Sequence, residues 1–112
     1  MTLERDLQRQ VVEYAERTGW TAWQMLLGTQ RGGSVWCTKG IPDLYVFRPG
    51  CAVWIELKRG KAGRVSPEQQ QRHAELTAAG HDIHVARTFD EARTILDARR
   101  VPRPRMPHGA RC

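Results

Sequence analysis

Two short apolar runs on either side of Arg48-Pro49-Gly50 constrain this chain more than any other feature of its 112 residues. Proline pre-sets one backbone dihedral for a turn and glycine accepts a positive one, so residues 44–47 and 52–57 are expected to pair as an antiparallel hairpin. Both strands are apolar at nearly every position, which suits the middle of a sheet. Glu56 and Lys58 break that pattern. Strand side chains alternate between faces, so these two project to one side while Leu57 between them points to the other.

The flanking segments give the rest of the architecture. Leu3, Leu7, Val11, Tyr14, Ala15 and Thr18 recur at helical spacing, which predicts a helix over 3–18 with Thr2 as its N-cap and Gly19 as a left-handed stop. Residues 20–27 are rich in aromatic and apolar side chains and read as a strand. Residues 28–39, with Gly28, Gly32, Gly33 and Ser34, read as a loop or loose hairpin. Ser66-Pro67-Glu68-Gln69 is a helix start, with Ser66 as N-cap, Pro67 at the first helical position and Gln69 closing a capping box. That helix runs to about residue 79 and Gly80 stops it. Residues 83–86 form a further strand. Thr88 and Glu91 make a second capping box, opening a helix whose Phe89, Ala92, Ile95 and Leu96 face inward. The order α-β-β-β-α-β-α defines an α/β fold with a mixed central sheet flanked by helices, one domain over residues 1–100. Residues 101–112 are proline-rich and aperiodic, and read as a basic, disordered tail.

Charge adds less than its total suggests. Of the net +6, the acid-free stretch from Ala98 onward supplies +5 through Arg99, Arg100, Arg103, Arg105 and Arg111, leaving the body near neutral. The basic balance is therefore weak evidence for a nucleic-acid partner, and the body's own residues have to carry the argument. No run is apolar for long enough to span a bilayer and no signal-like pattern opens the chain, so a cytoplasmic protein without a membrane partner is expected. Cys37, Cys51 and Cys112 form no CxxC pair. With His73, His81, His84 and His108 they match no zinc-ligand spacing, and they read as reduced thiols.

The chemical signal in the body is Pro42-Asp43 followed by Glu56-Leu57-Lys58. A hairpin folding back on itself carries Asp43 toward the end of the sheet where Glu56 and Lys58 lie. Convergent carboxylates repel one another unless a cation joins them, and hard oxygen ligands suit Mg²⁺ or Mn²⁺. The Leu57 carbonyl, at the strand edge, is a further candidate ligand. Lys58 suits the holding of a water or the neutralisation of a phosphate. The plainer alternative is a Glu56–Lys58 pair on a solvated strand face, with Asp43 capping a turn. Beyond Glu56, Lys58-Arg59-Gly60-Lys61-Ala62-Gly63-Arg64 gathers four cations and no acid, a composition suited to a phosphate backbone or simply to a solvated loop. Trp20, Trp23 and Trp54 read as core, and Trp36, near Arg31 and Lys39, as the one tryptophan available to stack on a base.

Pro42-Asp43…Glu56-Leu57-Lys58 resembles the core signature of the PD-(D/E)XK nucleases, in their VRR-NUC (virus-type replication-repair nuclease) branch. Lys39-Gly40-Ile41-Pro42-Asp43-Leu44, Gly63-Arg64-Val65-Ser66-Pro67-Glu68-Gln69 and Leu76-Thr77-Ala78-Ala79-Gly80 resemble further motifs of that branch in the same order, covering most of residues 3–96. The resemblance implies a restriction-endonuclease-like fold and hydrolysis of DNA phosphodiesters with Mg²⁺ or Mn²⁺, without a small-molecule cofactor. It implies catalytic roles for Asp43, Glu56, Lys58 and Gln69. Metal ligation would fall to Glu4, Asp43, Glu56 and Leu57, and DNA contact to Lys39, Arg59, Lys61 and Arg64. For Gln69 the capping box is an equally good explanation, and for Glu4 a favourable place in the first turn of a helix. The resemblance further implies a homodimer that resolves four-way (Holliday) junctions in a bacterial or phage-infected cell. The alternatives are a flap-, nick- or duplex-cutting nuclease, and a catalytically silent DNA-binding module.

Overall fold

The computed structural model describes residues 4–25, 38–60 and 63–100. Its elements are α1 (Glu4–Arg17), β1 (Thr21–Gln24), β2 (Leu44–Arg48), β3 (Cys51–Leu57), α2 (Pro67–Ala78), β4 (Ile83–Ala86) and α3 (Phe89–Arg100). The strands form one sheet in the order β1-β2-β3-β4, antiparallel except for the parallel β3–β4 pair. This is the mixed α/β architecture expected from the order of elements. A parallel pair needs a long crossover, and α2 supplies it. Among the described residues, no helix is long and apolar enough to cross a membrane.

The two strands predicted from the Arg48-Pro49-Gly50 turn are the interior pair. Arg48 pairs with Cys51, so the loop has only two residues, and Gly50 takes the positive φ of 79° that it needs. The tight turn fixes every pair that follows, through Val46–Val53 to Leu44–Ile55. One face of this hairpin, Leu44, Val46, Cys51, Val53, Ile55 and Leu57, is buried against the helices. Leu7, Val11, Val12 and Ala15 of α1, with Ala92 and Leu96 of α3, complete that core. Tyr14 locks the two helices together, edge-on to Phe89 with ring centroids 5.5 Å apart and its hydroxyl donating to Asp97.

The opposite face is different. Trp23, Tyr45, Phe47 and Trp54 form a connected aromatic surface with successive centroids 4.6 to 6.0 Å apart. Trp23 is 55% exposed, so the expectation of a core residue fails there. It lies on an edge strand, on the side away from α1 and α3. Trp20 is core as expected, at 3% exposure, but it precedes β1 rather than opening it. Cys51 takes part in a disulfide, against the expectation of reduced thiols. Trp36, Lys61 and the tail over 101–112 lie outside the described residues.

α2 buries no residue fully, so its seat on the sheet has to be fixed in other ways. Its start carries the complete capping box: the Ser66 hydroxyl accepts from the Gln69 N–H at 3.1 Å and the Gln69 side chain accepts from the Ser66 N–H at 2.9 Å. The second predicted box is only half formed. Thr88 accepts from the Glu91 N–H, but the Glu91 carboxylate takes the N–H of Arg87 instead. The first turn of α2 also presses against Gly40, where a Cβ would lie 2.5 Å from the Glu68 carbonyl and 2.8 Å from the Gln69 nitrogen.

That contact gives a test of how α2 is seated. Gly19 and Gly40 both have positive φ, but only Gly40 faces backbone at its missing Cβ. Gly19→Ala is expected to destabilise the fold by about 1 kcal/mol, the strain of the left-handed region alone. Gly40→Ala is expected to cost about 2–4 kcal/mol, because the helix start must also move. Equal losses in denaturant unfolding would show that Gly40 does not hold α2.

Candidate active site

Asp43 and Glu56 meet because of the hairpin register. One step beyond the Leu44–Ile55 pair, the register sets Asp43 opposite Glu56 with both side chains on the same face. Asp43 is pinned from two directions. Its carbonyl accepts from the Met25 N–H at 2.9 Å, and its carboxylate accepts from the Leu57 N–H at 2.7 Å. The Lys58 N–H continues the β3–β4 ladder to the Ala86 carbonyl at 3.0 Å, which keeps the strand straight through the Glu56-Leu57-Lys58 triplet.

Glu56 is 1% exposed although it points away from the main core. α2 covers it. Gln69 Nε2 donates to Glu56 Oε2 at 2.9 Å, and Lys58 Nζ lies 3.7 Å from the same oxygen. Gln69 thus acts twice, its carbonyl closing the helix cap and its amide holding the buried carboxylate. Burial first, then the neighbouring Asp43 carboxyl, push the Glu56 carboxyl up to about 8, with Glu4 adding to the rise and Lys58 opposing it. Glu4, at the start of α1, accepts from the Arg59 N–H at 3.3 Å, so the first helix does reach this end of the sheet.

His73 belongs to the same cluster, although the sequence reading counted it only among scattered histidines. Its Nε2 lies 3.5 Å from Glu56 Oε1. Desolvation, then the Lys58 charge, hold its pKa below the ordinary imidazole value, against the pull of Asp43. A signal was present in the sequence: His73 follows Gln69 by four residues, the helical spacing that puts two side chains on one face. Lys39 is exposed near the α2 start, beside a 250 Å³ hollow lined by Gly40, Ser66 and Gln69. Arg59 and Arg64 are exposed on the loop beyond β3, and Arg87 ties that loop down by donating to the Gly60 and Gly63 carbonyls.

Among the described residues no three His, Cys, Asp or Glu side chains already stand in a ligand arrangement. The cluster nevertheless has the chemistry of a cation site. Two carboxylates share a pocket short of water, and Glu56 Oε1 is buried without a hydrogen-bond partner. Oxygen donors of this kind fit a hard divalent ion such as Mg²⁺ or Mn²⁺.

No family model and no curated protein matches the sequence. Solved structures do match the fold, two of them as follows. One, a VRR_NUC domain, superposes with a TM-score of 0.66 at 23% identity, over 87% of this chain and 97% of that one. The other, a VRR_NUC domain protein, gives a TM-score of 0.63 at 20% identity, over 88% of each chain. The chain therefore has the α/β fold of VRR_NUC domains, with the acidic cluster at the end of its interior strand pair.

The raised Glu56 pKa fixes a sign for the pH dependence of stability. The folded chain holds the Glu56 proton more tightly than the unfolded chain does, so this contribution is present below the ordinary value of 4.5 and is lost as pH rises through about 8. Without divalent ions, unfolding free energies from about pH 5 to about pH 9 should move in favour of Glu56→Gln over wild type, by on the order of a few kcal/mol in all. A pH-independent difference between the two proteins would contradict the assignment.

Proposed function

We propose that this protein is a divalent-metal-dependent DNA endonuclease. The observation that carries the reading is the buried Glu56 carboxylate, set against Asp43 and beside Lys58, in a chain with the fold of VRR_NUC domains. A silent binding module gains nothing from this cluster, because buried carboxylates lower stability at neutral pH and repel a phosphate backbone.

In this reading Asp43, Glu56, the Leu57 carbonyl and Glu4 hold Mg²⁺ or Mn²⁺. Such an ion lowers the pKa of a bound water and draws off charge from an attacked phosphate. Lys58, only 13% exposed, carries an ammonium close to the reacting centre, where it orients the attacking water or offsets the negative charge that builds on phosphorus. Gln69 anchors one oxygen of the Glu56 carboxylate through its 2.9 Å hydrogen bond. Lys39, Arg59, Lys61 and Arg64 neutralise the DNA backbone on either side. These roles account for a carboxylate pair kept at an energetic cost and for a basic loop directly beyond it.

The finer reading is structure-selective cleavage of four-way junctions by a homodimer. A junction has two-fold symmetry and needs two cuts, while one chain offers one cluster, so a two-fold pair of chains matches the substrate. The nuclease domain in this reading spans residues 1–100, with 101–112 as a basic extension.

Purified protein incubated with junction, flap, nicked and linear DNA tests the proposal. Cleavage is expected with Mg²⁺ or Mn²⁺ and not in chelator, with paired nicks on junctions. Asp43→Asn and Glu56→Gln are each expected to lower the rate by at least about a thousandfold, since each removes an anionic ligand while keeping its shape. Near wild-type cutting by either variant would sink the metal-site reading. A monomer in light scattering, with and without junction DNA, would favour flap or nick cutting instead.

A further inference from the structure

Glu56 has two carboxylate oxygens, and the reading above accounts for the surroundings of only one. Oε2 accepts from Gln69 and faces Lys58. Oε1 is buried with no hydrogen-bond partner, and so is the Nε2 atom of His73, 3.5 Å away. Leaving two complementary polar atoms buried and unpaired is unfavourable for both. A shift of a few tenths of an ångström turns the gap into an ordinary hydrogen bond. Gln69 and His73 are one helical turn apart on α2, so a single rigid element presents one donor to each oxygen.

We propose that His73 is a positioning residue for the active site, its Nε2–H holding Glu56 Oε1 as Gln69 holds Oε2. Facing the ionised carboxylate that a cation would require, Nε2 is the ring nitrogen that carries the proton. Held at both oxygens from the α2 side, the carboxylate cannot rotate about its last bond. Its remaining lone pairs are then turned toward Asp43, where the cation is proposed to sit. Gln69 alone fixes one oxygen and leaves that rotation open. The inference rests on the reading that Glu56 holds a divalent ion, and it adds a residue to which neither the family resemblance nor the spacing of histidines assigns a role.

Mn²⁺ binding by calorimetry and steady-state cleavage test it on the full chain. His73→Leu keeps bulk without a donor, and His73→Gln keeps a donor at about the reach of Nε2. His73→Leu is expected to weaken Mn²⁺ binding by about tenfold or more, as loss of a partner to a metal ligand does, and to lower kcat with KM for DNA unchanged. His73→Gln should restore most of both. In a Glu56→Gln background His73→Leu should change nothing further, because the oxygen it acts through has lost its charge. If His73→Leu does not fold, His73→Asn replaces it; its shorter amide cannot reach Oε1, so it should behave as Leu is expected to.

Wild-type Mn²⁺ affinity in the variant lacking the donor would overturn the inference. So would equal losses in the Gln and Leu variants, or a His73→Leu effect that persists without Glu56. If Glu56→Gln itself leaves Mn²⁺ binding unchanged, the cation site has failed as well. If Glu56→Gln abolishes binding while the donorless His73 variant binds normally, only the role of His73 has failed.

Discussion

Burying the Glu56 carboxylate on an interior strand commits several distant parts of the chain to fixed places. A charge taken out of water needs polar partners, and the chain next to Glu56 offers only Lys58, just past the end of β3. The other partners come from α2, a helix with no fully buried residue of its own. The helix and the carboxylate therefore depend on one another. Gln69 and His73 supply polar contact to Glu56, and the helix that carries them excludes water from it. Gly40 sets how close that helix comes, by letting the backbone of Glu68 and Gln69 approach where any side chain would intervene.

The rest of the sheet serves the same geometry. The two-residue turn at Pro49-Gly50 sets a register that ends with Asp43 opposite Glu56, and Met25, just past the end of β1, holds the Asp43 carbonyl. The apolar core beneath, from Leu44 to Leu57 on the strands and from α1 and α3 on the helices, makes that register costly to change, since a one-residue slip would turn Glu56 into the core. The acidic pair is thus over-determined by packing that does no chemistry. That is how two carboxyl groups can be held together in a domain of this size, one of them keeping its proton unless a cation such as the one proposed takes its place.

Much of this was legible in the sequence, because its cues are local. The hairpin turn, both helix starts and the alternation that sets Glu56 and Lys58 apart from Leu57 each depend on residues within a few positions of one another. Asp43, Glu56, Lys58 and Gln69 could therefore be singled out, and they do lie together. His73 was not, since its helical spacing from Gln69 gains meaning only once it is known which face of the sheet α2 covers, a tertiary fact. The exposure of Trp23 was missed for a similar reason: an aromatic residue in a strand reads as core unless one knows that, among the described residues, the strand is an edge and no helix covers its outer side. The reciprocal bond of Glu91 went to Arg87 rather than Thr88, a choice between adjacent N–H groups that sequence spacing does not discriminate.

The proposed cation site requires the Asp43–Glu56 pair to retain a proton when no cation is present and to give it up when one binds. Calorimetric titration of Mn²⁺ into the protein near pH 7, repeated in buffers of different ionisation enthalpy, measures that proton directly. With Glu56 titrating at about 8 in the metal-free chain, the account predicts release of close to one proton per ion bound, a release that disappears as the pH is raised well above that value. Binding without proton release near pH 7, or no binding at all, would contradict it.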